Sequence, residues 1–393
     1  MKLFKTTALI ALAFAASAAS AQTVKIGFIT SYSGLNGNLG PYMERAVRLY
    51  LKQHEKELGG VKVELLIRDD TGPNPDKARQ LAQELVVRDK VNLLAGVIFT
   101  PNAMAMAPIA TEAKVPFIIM NAGTAVITTR SPYMVRTSFT LWQSSYPLGQ
   151  WAGKKYKTAY SLVSDFGPGH DSEDGFSKAF EDGGGKMLGK VRVPLQNPDW
   201  AAYMQRVKDA KPDALMVFIP AGKTATAVMK NFSDLGLGQA GIKLIGPGDI
   251  TTDEELPNMG DVAMGILTVH HYSAAADRPA NKEFVAAWKK EYGPNETPNF
   301  VAVGAYDGAA LIVEAIKQQR GKLDPDKTME IFKQYKNANS PRGPISIDPE
   351  TRDIVQNEYL REVKRVNGAL ANVELETVAT ALKDPWKEFQ KKK

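Results

Sequence analysis

The 393-residue chain has a formal net charge of +6, is 44% hydrophobic and contains no cysteine. Its length exceeds the roughly 250–300 residues at which one core usually divides, so we expect two domains. The lack of cysteine excludes disulfides, zinc–thiolate sites and thiol nucleophiles. Charges of both signs are mixed along the chain, and the one tight basic run is Lys391-Lys392-Lys393. We therefore expect no nucleic-acid partner.

The first 21 residues have the pattern of a secretory signal peptide. Lys2 and Lys5 precede an apolar stretch from Leu9 to Ala16, and Ala19-Ser20-Ala21 has the small-x-small form that signal peptidase accepts. A membrane anchor is the alternative, but the apolar stretch is shorter than the roughly 20 residues that cross a bilayer. We predict export with cleavage after Ala21, and no cysteine is present for a lipid anchor.

Short β-branched runs then alternate with amphipathic segments, which is the βαβ rhythm of a parallel sheet. This rhythm predicts strands at Val24–Ile29, Val61–Arg68, Val91–Ile98 and Pro116–Asn121. It predicts helices near Pro41–Glu57, Pro75–Arg88 and Ala103–Ala113. The second of these helices has clear start signals, because Asn74-Pro75-Asp76 supplies a cap, a proline in the first turn and an early acid.

The same rhythm restarts near Tyr146 and predicts a second lobe. We expect strands at Ala159–Val163, Lys190–Val193, Ala214–Ile219 and Lys243–Gly246. The helices between them are expected at Tyr146–Lys154, Ser172–Glu181, Trp200–Ala210 and Thr224–Leu235. Further along, a strand is predicted at Gly265–His271, a long helix at Phe300–Gln319 and a late strand or hairpin at Ile354–Val366.

These elements predict an α/β protein of two doubly wound, Rossmann-like lobes joined by a hinge of several strands. Lobe 1 is expected to comprise residues 22–139 plus 272–350, and lobe 2 residues 140–271 plus 351–393. The segment after Gly368 is expected either as a helix packed on lobe 2 or as a loose tail.

Recognition is expected in the turns that follow the strands, because parallel sheets place their ligand crevices at the carboxyl ends of strands. These turns are polar and small. They are Ser31-Tyr32-Ser33-Gly34, Phe99-Thr100-Pro101-Asn102, Asn121-Ala122-Gly123-Thr124, Asp165-Phe166-Gly167, Pro220-Ala221-Gly222 and Pro247-Gly248-Asp249.

With these turns the chain resembles the periplasmic solute-binding proteins of the leucine/isoleucine/valine type, which feed ATP-driven importers. The resemblance covers nearly all of the chain after the leader. Its motifs are Ile26-Gly27-Phe28 with Ser33-Gly34, Asp69-Asp70 with Pro75, Gly96 to Asn102, Pro116 to Thr124, Asp165-Phe166-Gly167 and Gly246-Pro247-Gly248. It implies the type I periplasmic binding protein fold, a periplasmic location, a small-molecule ligand and a membrane permease as partner.

The resemblance also implies which residues hold the ligand carboxylate. In that family a hydroxyl and main-chain N–H groups do so after the fourth strand, together with residues after the fifth. Carried over, these are Thr100, Pro101 and Asn102, and then Asn121, Ala122 and Thr124. Exposed N–H groups at a helix start form an anion site. The alternative for Thr100 and Asn102 is a role as helix caps.

Other contacts are implied with alternatives left open. The family's aromatic wall falls on Phe166, with Tyr32 as a further contact and Ala221 in the next turn, although Phe166 is also the type of residue that packs beneath its own turn. Amino-acid binders hold the ligand ammonium with an acid where this chain has Gly248. The adjacent Asp249 either pairs with an ammonium or caps a helix at residues 252–256.

The departure at Gly248 leaves the ligand class open between an amino acid and an amine-free carboxylate such as an aromatic acid. An amine-free carboxylate suits a site in which Gly248 leaves no acidic side chain to hold an ammonium group. His270, His271 and Tyr272 lie near the predicted hinge, where they either contact a hydroxylated ring or have a structural role.

Signals for catalysis are weak. Gly222-Lys223-Thr224 imitates the end of a phosphate-binding loop, but Val217 stands where that loop needs glycine. The four histidines have no zinc-protease spacing, and no Gly-x-Ser-x-Gly turn is present. We predict a binding protein without a cofactor or metal. The alternatives are an exported ligand-sensing module for a receptor or regulator and an exported hydrolase.

Overall fold

The computed structural model describes residues 22–196 and 198–392. The predicted leader and its cleavage after Ala21 lie outside these residues. Within them, no helix is long and apolar enough to span a membrane.

The first lobe is built on five parallel strands in the order β2-β1-β3-β4-β5. The strands are β1 (Thr23–Thr30), β2 (Lys62–Asp69), β3 (Leu93–Gly96), β4 (Phe117–Ile119) and β5 (Met134–Arg136). In the register, Ile26 of β1 is paired with Leu65 on one side and Leu93 on the other. The carboxyl ends of these strands therefore share one edge, where their turns meet.

Six helices complete the first lobe. They are α1 (Leu39–Gln53), α2 (Pro75–Val87), α3 (Thr100–Glu112), α9 (Pro279–Tyr292), α10 (Phe300–Gln319) and α11 (Pro325–Lys333), with short 3₁₀ turns at Glu55–Leu58 and Ile127–Arg130. α2 starts where the sequence predicted, because the Asn74 side chain accepts the Lys77 N–H at 3.1 Å. α10 packs against α1, and its Ala302, Ala305 and Ala309 are fully buried.

The second sheet has nine strands, with β11-β12-β13-β10-β9-β8-β6-β7 as its main path and β14 paired to β13. The strands are β6 (Thr158–Ser164), β7 (Lys186–Val193), β8 (Ala214–Phe218), β9 (Lys243–Pro247), β10 (Leu267–His270), β11 (Lys336–Asn337), β12 (Ile345–Ile347), β13 (Ile354–Val366) and β14 (Ala369–Leu382). The strands β6 to β10 pair with one another in parallel, whereas β13 runs antiparallel to β10.

The helices on this sheet are α4 (Leu141–Gly153), α5 (Gly167–Asp182), α6 (Trp200–Ala210), α7 (Lys223–Asp234), α8 (Leu256–Met259) and α12 (Pro385–Gln390), with 3₁₀ turns at Gly248–Thr251 and Gly260–Ala263. α4 opens with a capping box, in which Thr140 and Gln143 each bond the other's backbone N–H. The lobe boundaries at residues 139–140, 271–272 and 350–351 remain a proposal. Within the proposed lobe 1, β11 and β12 pair with the second sheet through β13.

Most predicted elements are present, and α6 and α10 have the predicted bounds. The segment after Gly368 differs from both alternatives, because it forms the strand β14 before the short helix α12. The reason is the hairpin turn at Asn367-Gly368, where φ is +49° and +84°. An Asn-Gly pair is a strong hairpin signal because both residues tolerate positive φ. β5, β11, β12, α9 and α11 were not predicted.

Arg342 joins segments that lie far apart in the chain. Its guanidinium is fully buried and lies 2.7 Å from the Asp307 carboxylate of α10. It also donates to the backbone oxygens of Thr137 and Ser138, both at 2.7 Å, and to Oε1 of Gln356 in β13 at 2.8 Å. One side chain thus connects the passage from β5 to α4, the long helix α10 and the strand β13.

We predict that Arg342→Ala lowers the free energy of unfolding by about 3–5 kcal/mol, because it leaves the buried carboxylate of Asp307 without its partner. Chemical denaturation followed by circular dichroism measures the change. Arg365→Ala is the matched control. Its ion pair with Asp261 is exposed, so its effect should stay below about 1 kcal/mol. Equal destabilisation by the two variants would contradict the prediction.

Candidate ligand-binding site

A cleft between the two sheets collects the turns at the carboxyl ends of the strands. The cavity inside it measures only about 40 Å³. This is well below the roughly 300–1,000 Å³ of occupied ligand pockets, so the lobes lie nearly closed on each other here. It is lined by Asn36, Leu39, Ile98, Phe99, Asn121, Gly123, Phe139, Leu141, Phe166, Pro168, Phe218, Pro220, Ala221, Asp249 and Phe300. Both lobes contribute, as the strand-end argument predicted.

Five phenylalanines dominate the lining. Phe166 and Phe218 stack with ring centroids 6.2 Å apart, and Phe139 and Phe300 meet edge to face at 5.7 Å. Phe99 is the fifth. Phe166 therefore faces the cleft and does not lie hidden beneath its own turn. This is a wall on which a flat apolar ring can pack, since aromatic pairs favour offset and edge-to-face contacts.

Three helices begin beside the cleft. α3, α5 and α7 are preceded by Phe99, Phe166 and Gly222, and none of these residues caps its helix with a side chain. The first N–H groups of a helix have no partner within it, and the helix dipole adds partial positive charge there. Among the lining residues in the described part of the chain there is no Lys or Arg. The potential that attracts anions therefore comes from the backbone.

The hydroxyl groups of Thr100 and Thr124 lie at this end of the cleft. Their Oγ1 atoms are 2.8 Å apart and both residues are buried. Neither the Thr100 nor the Asn102 side chain caps α3, which starts after Phe99. A Cβ on Gly167 would lie 2.9 Å from Oγ1 of Thr124. A side chain at position 167 would therefore require the Thr124 side chain or the turn around Gly167 to shift.

Asn121 also lines the cleft. Its Nδ2 donates to the Ile98 carbonyl at 3.0 Å, and its buried Oδ1 has no hydrogen-bond partner. Four of the predicted site residues thus line the cleft, namely Asn121, Phe166, Ala221 and Asp249, and Thr100 and Thr124 adjoin it.

Five predicted site residues do not line the cleft: Tyr32, Pro101, Asn102, Ala122 and Gly248. Asn102 is fully buried and donates to Asp70 at 2.8 Å and to the Gly72 carbonyl at 2.9 Å. Tyr32 donates to Glu44, and burial raises its pKa. A Cβ on Gly248 would lie 2.3 Å from the Arg361 guanidinium and 2.4 Å from the His270 ring. Only glycine fits there.

Asp249 is the acidic residue of the lining. It sits in the 3₁₀ turn after β9 and is 7% exposed. Burial raises its pKa to about 7, opposed by the positive charge of Arg361. The alternative role as a helix cap is wrong. The helix predicted at residues 252–256 is absent, and α8 begins at Leu256 after Glu255, without a side-chain cap.

Two histidines stand behind the aromatic wall. His270 and His271 are fully buried, and no ring nitrogen of either has a hydrogen-bond partner in the described residues. The His270 ring lies 4.8 Å from Phe300 and 5.2 Å from Phe139. Burial and the nearby Arg361 lower the pKa of His270 well below its ordinary value. Both rings are neutral at physiological pH, since burial lowers the pKa of His271 in the same way.

Four of the five phenylalanines were not among the predicted site residues, although Phe99 stands in one of the turns where recognition was expected. Phe99 lies in the cleft because it follows β3, and Phe218 because it ends β8. Phe139 comes just before α4, and Phe300 is the first residue of α10. A search for aromatic residues at strand ends would have found the first two. Within residues 22–196 and 198–392, no group of three His, Asp or Glu side chains gathers in a way that would hold a metal ion.

Comparisons with known proteins agree with this architecture. The family model for periplasmic binding proteins matches residues 23–369. The Leu/Ile/Val-binding protein homolog 6 of Brucella melitensis is 43% identical over 379 residues, which are 96% of this chain and 97% of the relative.

Solved structures are similar as well. A solute binding protein of an ABC transporter from Rhodopseudomonas palustris BisB5, in complex with 3,4-dihydroxybenzoic acid, is 50% identical with a TM-score of 0.89. One from strain HaA2, in complex with p-hydroxybenzoic acid, is 44% identical with a TM-score of 0.90. Each alignment covers 93% of this chain and 99% of the other. A leucine binding protein from Thermotoga maritima shares the fold, with a TM-score of 0.79 at 22% identity over 90% of this chain and 98% of its own.

These matches confirm the family resemblance and the predicted α/β fold of two lobes. The chain belongs to the periplasmic binding protein family and has its type I fold.

Proposed function

We propose that this protein is the periplasmic solute-binding component of an ABC importer and that it captures a small aromatic carboxylate between its lobes. The observation that carries the proposal is the combination of five phenylalanines with three helix starts that lack side-chain caps in one cleft. The family consists of substrate-binding proteins, and we propose that this member also binds its ligand without chemical change. Export with cleavage after Ala21 is part of the proposal.

The two kinds of lining match the two parts of such a ligand. The phenylalanine rings offer contacts to a planar apolar ring. The start of α3 and the neighbouring hydroxyl groups of Thr100 and Thr124 offer donors to its carboxylate. The benzoic acids bound to the Rhodopseudomonas palustris proteins, which are 44–50% identical to this chain, support the same ligand class.

Binding is proposed to work by a shift between open and closed lobes. The ligand contacts both lobes only when the cleft is closed, so its higher affinity for that form drives closure about the hinge. The closed form would then be the one presented to the membrane permease. An exported sensor would use the same closure, and copurification with permease subunits distinguishes the two roles.

A branched-chain amino acid is the second candidate ligand. Asp249 favours it, because an ionised carboxylate in the cleft would pair with an ammonium group. The names of the Brucella relatives, Leu/Ile/Val-binding protein homologs, point the same way.

The first prediction of this proposal concerns ligand class. Benzoate or a hydroxybenzoate at 100 times its Kd should stabilise the protein by about 2.7 kcal/mol, because the ligand binds only the native state. Thermal melting against benzoic acids, leucine, isoleucine, valine and phenylalanine measures the effect as a rise in Tm. A rise with amino acids alone would replace the aromatic carboxylate by the second candidate.

The second prediction concerns Thr100. Thr100→Val should weaken binding of a benzoate-type ligand by about 1–3 kcal/mol, because the buried carboxylate loses a hydroxyl donor. Thr111→Val is a matched control in the same helix, where the hydroxyl bonds only the Ala107 carbonyl. Its Kd should equal that of the wild type. Calorimetric titration gives both values, and an unchanged Kd for Thr100→Val would remove this residue from the site.

The third prediction concerns pH. The closed cleft holds Asp249 with a pKa of about 7, and opening exposes it to water, where its pKa returns toward the ordinary value. Closure around an anion therefore takes up a proton, so benzoate binding should weaken as pH rises from the ordinary carboxyl pKa of about 4 toward 7, and should level off above 7. The expected rise in Kd is about tenfold for each unit of pKa difference between the free and bound forms.

Titration calorimetry in matched buffers at several pH values tests this. Asp249→Asn should remove the dependence, since its side chain does not ionise. A benzoate Kd that stays constant in the wild type, or a slope that persists in Asp249→Asn, would contradict the assignment to Asp249.

A further inference from the structure

One oxygen of the Asp249 carboxylate, Oδ2, is buried and has no hydrogen-bond partner among the described residues. The carboxylate does receive a hydrogen bond from the backbone N–H of Asp249 itself. The closest ring nitrogen, Nε2 of His270, is 3.8 Å away, which is too long for a hydrogen bond. The Arg361 guanidinium is buried nearby, but its N–H groups donate to Tyr272 O, Gly248 O and Thr268 Oγ1. A donor for this carboxylate is therefore expected from the ligand.

We propose that Asp249 is a specificity-determining residue that accepts a hydrogen bond from a ring hydroxyl, so that the protein selects hydroxylated benzoic acids over benzoate. This inference rests on the proposed function and assigns one residue of that site a role in choosing among aromatic carboxylates.

The arrangement of the cleft orients such a ligand. The helix start of α3 and the Thr100 and Thr124 hydroxyls are on lobe 1, whereas Asp249 follows β9 of lobe 2. A ligand carboxylate is attracted to the helix start and the hydroxyls of lobe 1, and whenever Asp249 is ionised it is also repelled from the other end. The ring then lies between the phenylalanines, with its carboxylate toward lobe 1 and a ring substituent toward Asp249.

A hydroxyl suits this end of the cleft better than an ammonium group. An ammonium carries three donors and a hydroxyl carries one. Asp249 is the acidic residue among the described lining residues, and most of the surrounding lining is apolar. The buried cation Arg361 and the helix starts also disfavour a second positive charge. His270 is neutral and forms no ion pair with Asp249 that would compete with the ligand.

The expected selectivity follows from the cost of an unpaired buried acceptor. A site built to bond a hydroxyl discriminates strongly against the analogue without it, because the polar group of the site is then left without a partner. For Asp249 the preference for the best hydroxybenzoate over benzoate should be at least about tenfold in Kd.

The test is calorimetric titration of the mature wild-type protein and its variants with benzoate, 3-hydroxybenzoate and 4-hydroxybenzoate. Asp249→Leu removes the acceptor at similar size, and we expect the preference to fall to about twofold or less while benzoate binds as well as before or better. Asp249→Asn keeps a neutral acceptor and should give an intermediate preference. If Asp249→Leu does not fold, Asp249→Asn alone tests the proposal, because its preference for hydroxybenzoates over benzoate must still be smaller than that of the wild type.

Asp253→Asn is the matched control. Asp253 also acts electrostatically on Arg361 but does not line the cleft. Its ligand preference should equal that of the wild type. An equal loss in Asp253→Asn would show that the effect passes through Arg361, and this would overturn the proposal.

The outcomes separate this inference from the proposed function. Equal Kd values for all three acids in the wild type, or a preference that survives in Asp249→Leu, would overturn the inference alone. Binding of amino acids with no binding of any benzoic acid would overturn the aromatic ligand class and the inference with it.

Discussion

The buried ion pair of Arg342 and Asp307 is the interaction on which the two-lobed structure depends. Its members come from a loop before β12 and from the middle of α10, and the same guanidinium bonds the Thr137 and Ser138 carbonyls. A buried charge of this kind is stable only when its partner and its remaining hydrogen bonds are all present. This requirement holds the segment between β5 and α4 against α10. The position of the cleft follows from this arrangement.

The same elements carry the proposed ligand site. Phe139 follows directly after Ser138, and Phe300 is the first residue of α10, two turns before Asp307. The network that joins the lobes therefore also positions two rings of the aromatic wall. The Leu141 N–H donates to the Gly123 carbonyl at 2.9 Å and links a lining residue of α4 to one after β4. A shift of α10 would therefore disturb both the packing at the hinge and the geometry of the site.

Much of the fold could be predicted from the sequence because parallel strands and amphipathic helices leave periodic patterns. α6 and α10 have the predicted bounds for this reason. β5 was missed because its three residues lie between polar segments at 128–131 and 137–138, whereas the equally short β4 lies within an apolar run at 115–120. The direction in which a side chain points at the site was harder to predict from the sequence. Asn102 and Asn121 follow neighbouring strands, yet the first turns inward to Asp70 and the second faces the cleft. That choice depends on tertiary partners and not on local sequence.

The proposed anion site has no cationic side chain in the described lining of the cleft, and this has an energetic reason. A buried Lys or Arg would need a partner whenever the lobes closed empty, because an unpaired charge in an apolar cavity is costly. Backbone N–H groups at helix starts are dipoles, and the cost of burying them is smaller. With its pKa near 7, Asp249, the acidic residue of the described lining, can take up a proton near neutral pH. Under the proposed function the lobes can therefore close without leaving a full negative charge on this residue.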